Sequence, residues 1–388
     1  MGSATPVQSE DPAHASATSD ELVADSIALE ARLREPNLLP RLPSQRAIRT
    51  SGLTAIVPAY NEAASIADTI KSLQKQTFPP EEIIVVDDCS SDGTGDVARA
   101  LGVTVIRPEK NTGSKAGAQN VALQRVKTEF TMAIDADTTL APDAVEKLLA
   151  AIDEPGVVAV CGFVVPRYVR SLWERGRYIE YLFAFTFYKP IQDYYDRPLI
   201  SSGCFSAYRT NPLCEMGGWS TRTLAEDMDL TWSFYQAGYG VRFVPEAVCY
   251  PIEPHNFDFM RKQLRRWSHG FVQNVCLHWR GLLGIPYLRS AVAVSMWDAT
   301  VASIAYFLLL PVLAFTVSPW FLLGYVIDTP AMLVPVLVKA AQRKEILRAL
   351  ASVPGFLVLR MVNGLSFIEA FWTELVLRRR FCVYEKGH

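Results

Sequence analysis

The sequence predicts a doubly wound α/β domain, and three observations predict it. Short apolar, β-branched runs alternate with segments that carry apolar residues at helical spacing. Acidic residues stand at the carboxyl ends of those runs, and no internal repeat interrupts the pattern. Alternation of this kind gives a mostly parallel sheet flanked by helices, because each parallel crossover needs a connecting helix. Ligands of such sheets sit beyond the carboxyl ends of the strands, so those acids are the first residues to inspect.

Residues 1–50 are rich in Ala, Ser, Asp, Glu, Pro and Arg and lack aromatics, which predicts a disordered tail with a short helix over 20–33. The domain then spans 51–255. Residues 53–57 form a β-branched strand ended by Pro58, and 63–74 a helix through Ile66, Ile70 and Leu73. A second strand over 83–86 ends at Asp87-Asp88, followed by a helix at 92–101 and a third strand at 103–106. A helix at 117–126 leads to a fourth strand at 130–134, which stops at Asp135-Ala136-Asp137. Beyond Ala141 the regularity weakens to a helix over 142–152, a strand over 157–165 and an aromatic stretch over 172–195. That stretch suits packing, membrane contact or an acceptor path.

Residues 256–290 carry Met260, Leu264, Trp267, Phe271, Val275 and Trp279 three or four apart, with Arg261, Lys262, Arg265, Arg266 and Arg280 on the other faces. This predicts a basic amphipathic helix at a membrane surface, with Arg265 toward lipid headgroups. From 291 the chain is nearly continuous hydrocarbon, and 299–317 and 320–338 each approach the ~20 residues that cross a bilayer. Together they predict a transmembrane hairpin. Residues 346–377 are apolar but broken by Arg348, Pro354, Arg360, Asn363, Glu369 and Glu374, which suits an interfacial, re-entrant or third spanning helix. Lys339, Arg343, Lys344 and Arg348 favour the cytoplasmic side for the turn between them.

A net charge of −2 over 388 residues gives no support for nucleic-acid binding. Seven scattered cysteines without a Cys-x-x-Cys pair argue against a disulfide framework or a zinc site. No charged start followed by an apolar core is visible, so no signal peptide is expected, and a multi-pass cell-membrane protein with a cytoplasmic catalytic domain follows.

The motifs occur in the order Pro58-Ala59-Tyr60-Asn61-Glu62, Asp87-Asp88, Asp135-Ala136-Asp137, residues 202–209 (Ser-Gly-Cys-Phe-Ser-Ala-Tyr-Arg), Ala225-Glu226-Asp227 and Gln263-Leu264-Arg265-Arg266-Trp267. In this order and spacing they resemble the inverting family-two glycosyltransferases of the processive type, the synthases of cellulose, chitin, hyaluronan and poly-N-acetylglucosamine. The resemblance runs from about Thr54 to Gly270 and includes the apolar hairpin. It implies a GT-A-type fold, a UDP-sugar donor (UDP-N-acetylglucosamine or UDP-glucose) and a glycan or lipid acceptor at the membrane lipid.

With that reading, Ala59 and Tyr60 would stack a flat base, Glu62 would meet the ribose, and Asp88 would accept from the uracil or ribose. Lys115, at a helix start, would approach the donor phosphates. Asp135 and Asp137 point to one side of an extended segment. By the resemblance Asp137 is the better ligand for Mg²⁺ or Mn²⁺, and Asp135 contacts the nucleotide sugar. Asp227 would be the general base, with Glu226 and Asp229 as decoys, Asp229 pointing away from Asp227 along the helix and being solvated or paired with a nearby Arg. Gln263 and Arg266 would clamp the diphosphate, and Trp267 would floor the acceptor ring. Ser91 and Asp92 suit helix capping, and His255, His269 and His278 suit structural roles. Polymer synthases of this type usually carry more membrane helices, so transfer of one sugar to a lipid stands as the alternative, and a catalytically silent membrane scaffold as a second.

Overall fold

A computed structural model describes residues 50–327 and 329–382. The expected tail and its helix over 20–33 lie outside the described residues. Eight strands build one sheet: β1 Thr50–Ala59, β2 Glu82–Asp87, β3 Thr104–Ile106, β4 Thr128–Ile134, β5 Thr139–Leu140, β6 Val157–Val164, β7 Phe205–Arg209 and β8 Gly240–Tyr250. Their order is β3-β2-β1-β4-β7-β6-β8-β5. The half β3-β2-β1-β4 is parallel throughout, as is the β6–β8 pair, whereas β7 runs antiparallel to both β4 and β6. The expected mostly parallel α/β sheet is present.

Leu53, Ala55 and Val57 of β1 join the apolar cluster on one face, and Ile56 between them joins the cluster on the other. A strand covered on both faces reads as an unbroken apolar run, which is why β1, β2 and β4 were legible. The helices Ile66–Gln74, Thr94–Ala100 and Lys115–Leu123 return the chain between those strands. Ser114 caps the third of them, its Oγ accepting from the Gly117 N–H at 3.1 Å.

The amphipathic segment is one helix, Phe257–Leu282. It does not float free on its apolar face: Met260 and Leu264 are buried against Leu359, and Val272 against Phe367 and Ala370. Arg265 differs from expectation in the same way, pairing with Glu369 at 2.7 Å instead of facing outward. Among the described residues three C-terminal helices are long and apolar enough to cross a membrane, Tyr287–Thr316, Pro319–Gln342 and Ile346–Val376.

The third of these lies along the catalytic domain. Near its start Glu345 accepts from the Tyr178 hydroxyl at 2.9 Å. A Cβ on Gly176 would come 2.6 Å from the Gly355 carbonyl oxygen, so two glycines let the backbones of Leu172–Phe183 and Ile346–Phe371 touch. Farther along come Leu359, Glu369 and Glu374, each bound to the helix Phe257–Leu282.

Candidate active site

The site forms where the carboxyl ends of β1, β2 and β4 meet the turn before β7 and the first turn of the helix Glu226–Gln236. Ala59 closes β1, and its carbonyl accepts from the Asp88 N–H at 2.9 Å. Tyr60 follows at 40% exposure, an accessible ring at the rim. Glu62 is buried, with its Oε2 accepting from Ser65 Oγ at 2.6 Å and its N–H donating to Thr94 Oγ1 at 2.8 Å. Its carboxylate therefore braces the loop. The residue at the helix cap is Gly93, not Ser91 or Asp92: Asp92, one position earlier, accepts from the N–H groups of Ala63 and Thr94, and Ser91 bonds to Asn61.

Asp88 receives the Thr112 N–H at 2.8 Å on one oxygen and the Thr112 hydroxyl at 2.9 Å on the other. It ties the end of β2 to the turn that delivers Lys115. Asp87 is held by Arg107 instead.

Lys115 reaches the centre. Its ammonium pairs with Asp135 Oδ1, donates to the Gly203 carbonyl at 2.9 Å and stands 3.9 Å from Glu226. The Gly203 N–H in turn donates to Asp227 Oδ2 at 2.7 Å. Cys204 completes the grip, its carbonyl accepting from the Asp135 N–H at 3.3 Å. A Cβ at position 203 would lie 2.7 Å from Asp227 Oδ2 and 3.1 Å from Lys115 Nζ, so only glycine leaves room for both. Asp137 lies two residues along from Asp135, and Thr138 Oγ1 donates to its Oδ1 at 3.1 Å.

The electrostatics separate the acids. Burial first, then the neighbouring Asp227 carboxylate, push the Glu226 carboxyl well above the usual range, while Lys115 and Arg266 pull it back. Asp229 is the opposite case. Burial alone would raise it, but His278 at 2.6 Å and the two-pronged Arg222 bring it down to about 2. Asp229 is thus a fixed structural anion of this helix, held by His278 and Arg222.

On the other side, Gln263 accepts from Arg177 Nη2 at 2.6 Å, and the same guanidinium lies 4.6 Å from the centre of the Trp267 ring. Arg177 is fully buried, paired with Glu180 and with Glu253 at 3.3 Å. Trp267 keeps 38% of its surface exposed. Sequence reasoning missed Gly203, Arg177 and Glu253. The glycine was inside a recognised motif, but Arg177 gave no signal, being one cation in an aromatic stretch.

The profile described as Glycosyl transferase family 2 matches residues 54–216. This part of the chain is similar to a family-2 glycosyltransferase domain. The chain is 27% identical to the poly-β-1,6-N-acetyl-D-glucosamine synthase of Staphylococcus epidermidis over 227 residues, 57% of this chain and 55% of that one. The synthase of the same name from Staphylococcus aureus strain COL is 26% identical over 237 residues, 60% of this chain and 57% of the relative. The chain therefore spans about half the length of the curated relatives it matches. Among solved structures, a mannosyltransferase from Pyrobaculum calidifontis, in complex with GDP-Man and Mn²⁺, superposes over 89% of this chain and 99% of its own. Its TM-score is 0.50 at 21% identity, a likeness of fold.

Proposed function

We propose that this chain is a membrane-bound inverting glycosyltransferase that moves a sugar from a UDP-sugar to a hydroxyl of a growing β-linked glycan. One observation carries the reading. Gly203 is gripped from both sides by Lys115 and Asp227, so a cation that suits the donor and a carboxylate that suits the acceptor share one backbone hinge. A catalytically silent scaffold has no need of that arrangement.

Asp227 acts as general base. It takes the proton from an acceptor hydroxyl as that oxygen attacks the anomeric carbon from the face opposite UDP. The bond from the anomeric carbon to the diphosphate oxygen breaks, its electron pair leaves with UDP, and the configuration inverts. Lys115 and Arg266 offset charge that gathers on the leaving diphosphate. Ala59, Tyr60, Glu62 and Asp88 form the nucleoside end. Trp267, with Arg177 against its ring, offers a rigid floor for the acceptor sugar, while Gln263 is oriented by the same guanidinium.

The residues suit a divalent ion of the Mg²⁺ or Mn²⁺ kind. Among the described residues no trio of His, Cys, Asp or Glu makes a protein-only cage, and Asp135 is engaged by Lys115. A single carboxylate beside a diphosphate is the way Mg²⁺ is commonly held. Asp137 would hold the ion, which would neutralise diphosphate charge.

The names of the curated relatives support N-acetylglucosamine as the sugar. Membrane insertion is supported by the two apolar helices Tyr287–Thr316 and Pro319–Gln342, which expose Leu308, Phe315, Trp320 and Ile327. The bond from Tyr178 to Glu345 supports a hairpin that returns to the catalytic side. Ile346–Val376 then lies at the interface, because a helix held by the catalytic domain near both ends and along its middle cannot also traverse the bilayer. The test is incubation of purified protein in detergent with radiolabelled nucleotide sugars, with and without EDTA, followed by product sizing. A UDP-sugar-derived oligomer that vanishes with EDTA supports the reading. A single sugar on lipid sinks the glycan acceptor, and no transfer from any UDP-sugar sinks the whole.

A further inference from the structure

The described segment after the third apolar helix reaches back to the catalytic loop through a buried polar cluster that the mechanism above leaves unused. Its centre is Glu374, at the end of Ile346–Val376 and almost wholly buried. One carboxylate oxygen, Oε1, meets His269 Nδ1 at 2.9 Å, Gln273 Nε2 at 2.8 Å and the Phe381 N–H at 3.0 Å. Gln273 Nε2 also reaches the Phe381 carbonyl at 2.8 Å.

The other end of the Gln273 amide faces the loop that precedes Glu226 and Asp227. Its Oε1 accepts from the Leu224 N–H at 3.1 Å. Next to it, Asn274 Nδ2 donates to the Ala225 carbonyl at 3.1 Å. A Cβ at Gly270 would come 2.8 Å from the Ala225 nitrogen, so helix and loop are in direct contact. Leu224 and Ala225 immediately precede Glu226 and Asp227. Their backbone sets where Asp227 starts, and Asp227 must meet the Gly203 N–H at 2.7 Å.

We propose that Glu374 is a positioning residue for Asp227, acting through Gln273 on the Leu224 N–H. This rests on the glycosyltransferase reading. An amide side chain has one donating and one accepting end. An anionic acceptor at 374 holds the NH₂ end of Gln273 toward itself, which leaves the oxygen for Leu224. Without that acceptor the amide keeps only the Phe381 carbonyl, whose own residue has lost its N–H bond to Glu374, and the Leu224 anchor is weakened. The acceptor is carried by a helix whose outer side exposes Trp372 and Val376, so the membrane-facing layer and the catalytic loop share one fixed point.

The test uses the full chain in detergent with the donor that wild type turns over. Glu374→Leu should lower kcat by roughly 10- to 100-fold, the scale of a small misplacement at a reacting centre. UDP affinity by calorimetry should stay close to wild type, while the melting temperature falls, because His269, Gln273 and the Phe381 N–H lose a buried acceptor. Glu374→Gln, which keeps an oxygen in the same place, should recover most of kcat. Combining Glu374→Leu with Gln273→Leu should be no worse than the poorer single variant, as for residues acting in one chain. Wild-type kcat in Glu374→Leu would overturn the proposal. So would a parallel loss of kcat, UDP affinity and melting temperature in Glu374→Leu and Glu374→Gln alike, or additive losses in the double variant. Absence of transfer by the wild type would sink the glycosyltransferase reading and this proposal with it, whereas an active wild type indifferent to Glu374 sinks only the proposal.

Discussion

Lys115 holds its ammonium 3.9 Å from the Glu226 carboxylate, yet burial and Asp227 outweigh that attraction and raise Glu226. The raised group has a consequence for stability. Between its ordinary value of 4.5 and about 7, the folded protein keeps a proton that the unfolded chain has released. Stability from this group is complete below 4.5, falls as pH rises through that window, and stays lower above it. Glu226→Gln removes the ionisation. Its stability advantage over wild type should be larger at pH 8 than at pH 5, by on the order of 1–3 kcal/mol. Thermal melts at the two pH values check this, and an equal difference at both would contradict it.

Arg177 is the second buried charge with a measurable consequence. Arg177→Leu would leave Glu253 and Glu180 facing a site built for a cation, and would release Gln263 and Trp267 together. Loss of one partner of a buried pair typically costs about 3–5 kcal/mol. Chemical denaturation should show a loss of that size, accompanied by weaker acceptor use in whatever fraction remains folded.

Much of this was legible in the sequence, for physical reasons that also mark the limits. β1, β2 and β4 are buried on both faces and end in acids, so their apolar runs and the carboxylates beyond them stand out together. β8 was not seen, because Pro245 and Glu246 break its run and are exposed where the strand shifts register against β6. The carboxylates of the site could be found because an acid after an apolar run is conspicuous. Gly203 matters through the room it leaves, and nothing in a glycine announces which side chains will close on it. Arg265 was placed toward lipid because its partner, Glu369, is 104 residues away. Pairings at that separation have no local signature.

Arg266 and Trp267 should fail differently. Arg266→Lys keeps the charge but loses the planar fork proposed to grip two diphosphate oxygens, so donor hydrolysis without acceptor and transfer should both fall. Trp267→Ala removes a stacking floor, so transfer should fall more than hydrolysis. Measuring free UDP beside product separates the two, and identical profiles would leave the helix only a folding role.

The hairpin has its own test. In intact cells a membrane-impermeant maleimide applied from outside should label Ser318→Cys above the wild-type background and should leave Lys344→Cys at background. Labelling at 344 would contradict the return of the chain to the catalytic side.

The central claim is that Asp227 removes the acceptor proton, and Asp227→Asn tests it most directly, because the amide keeps the shape and loses the base. Initial rates of transfer should be compared with UDP-sugar affinity measured on the same preparation. Transfer should fall by about 10²–10⁴-fold while donor affinity stays within a few-fold of wild type. Turnover at the wild-type rate would contradict the account and move the base to Glu226.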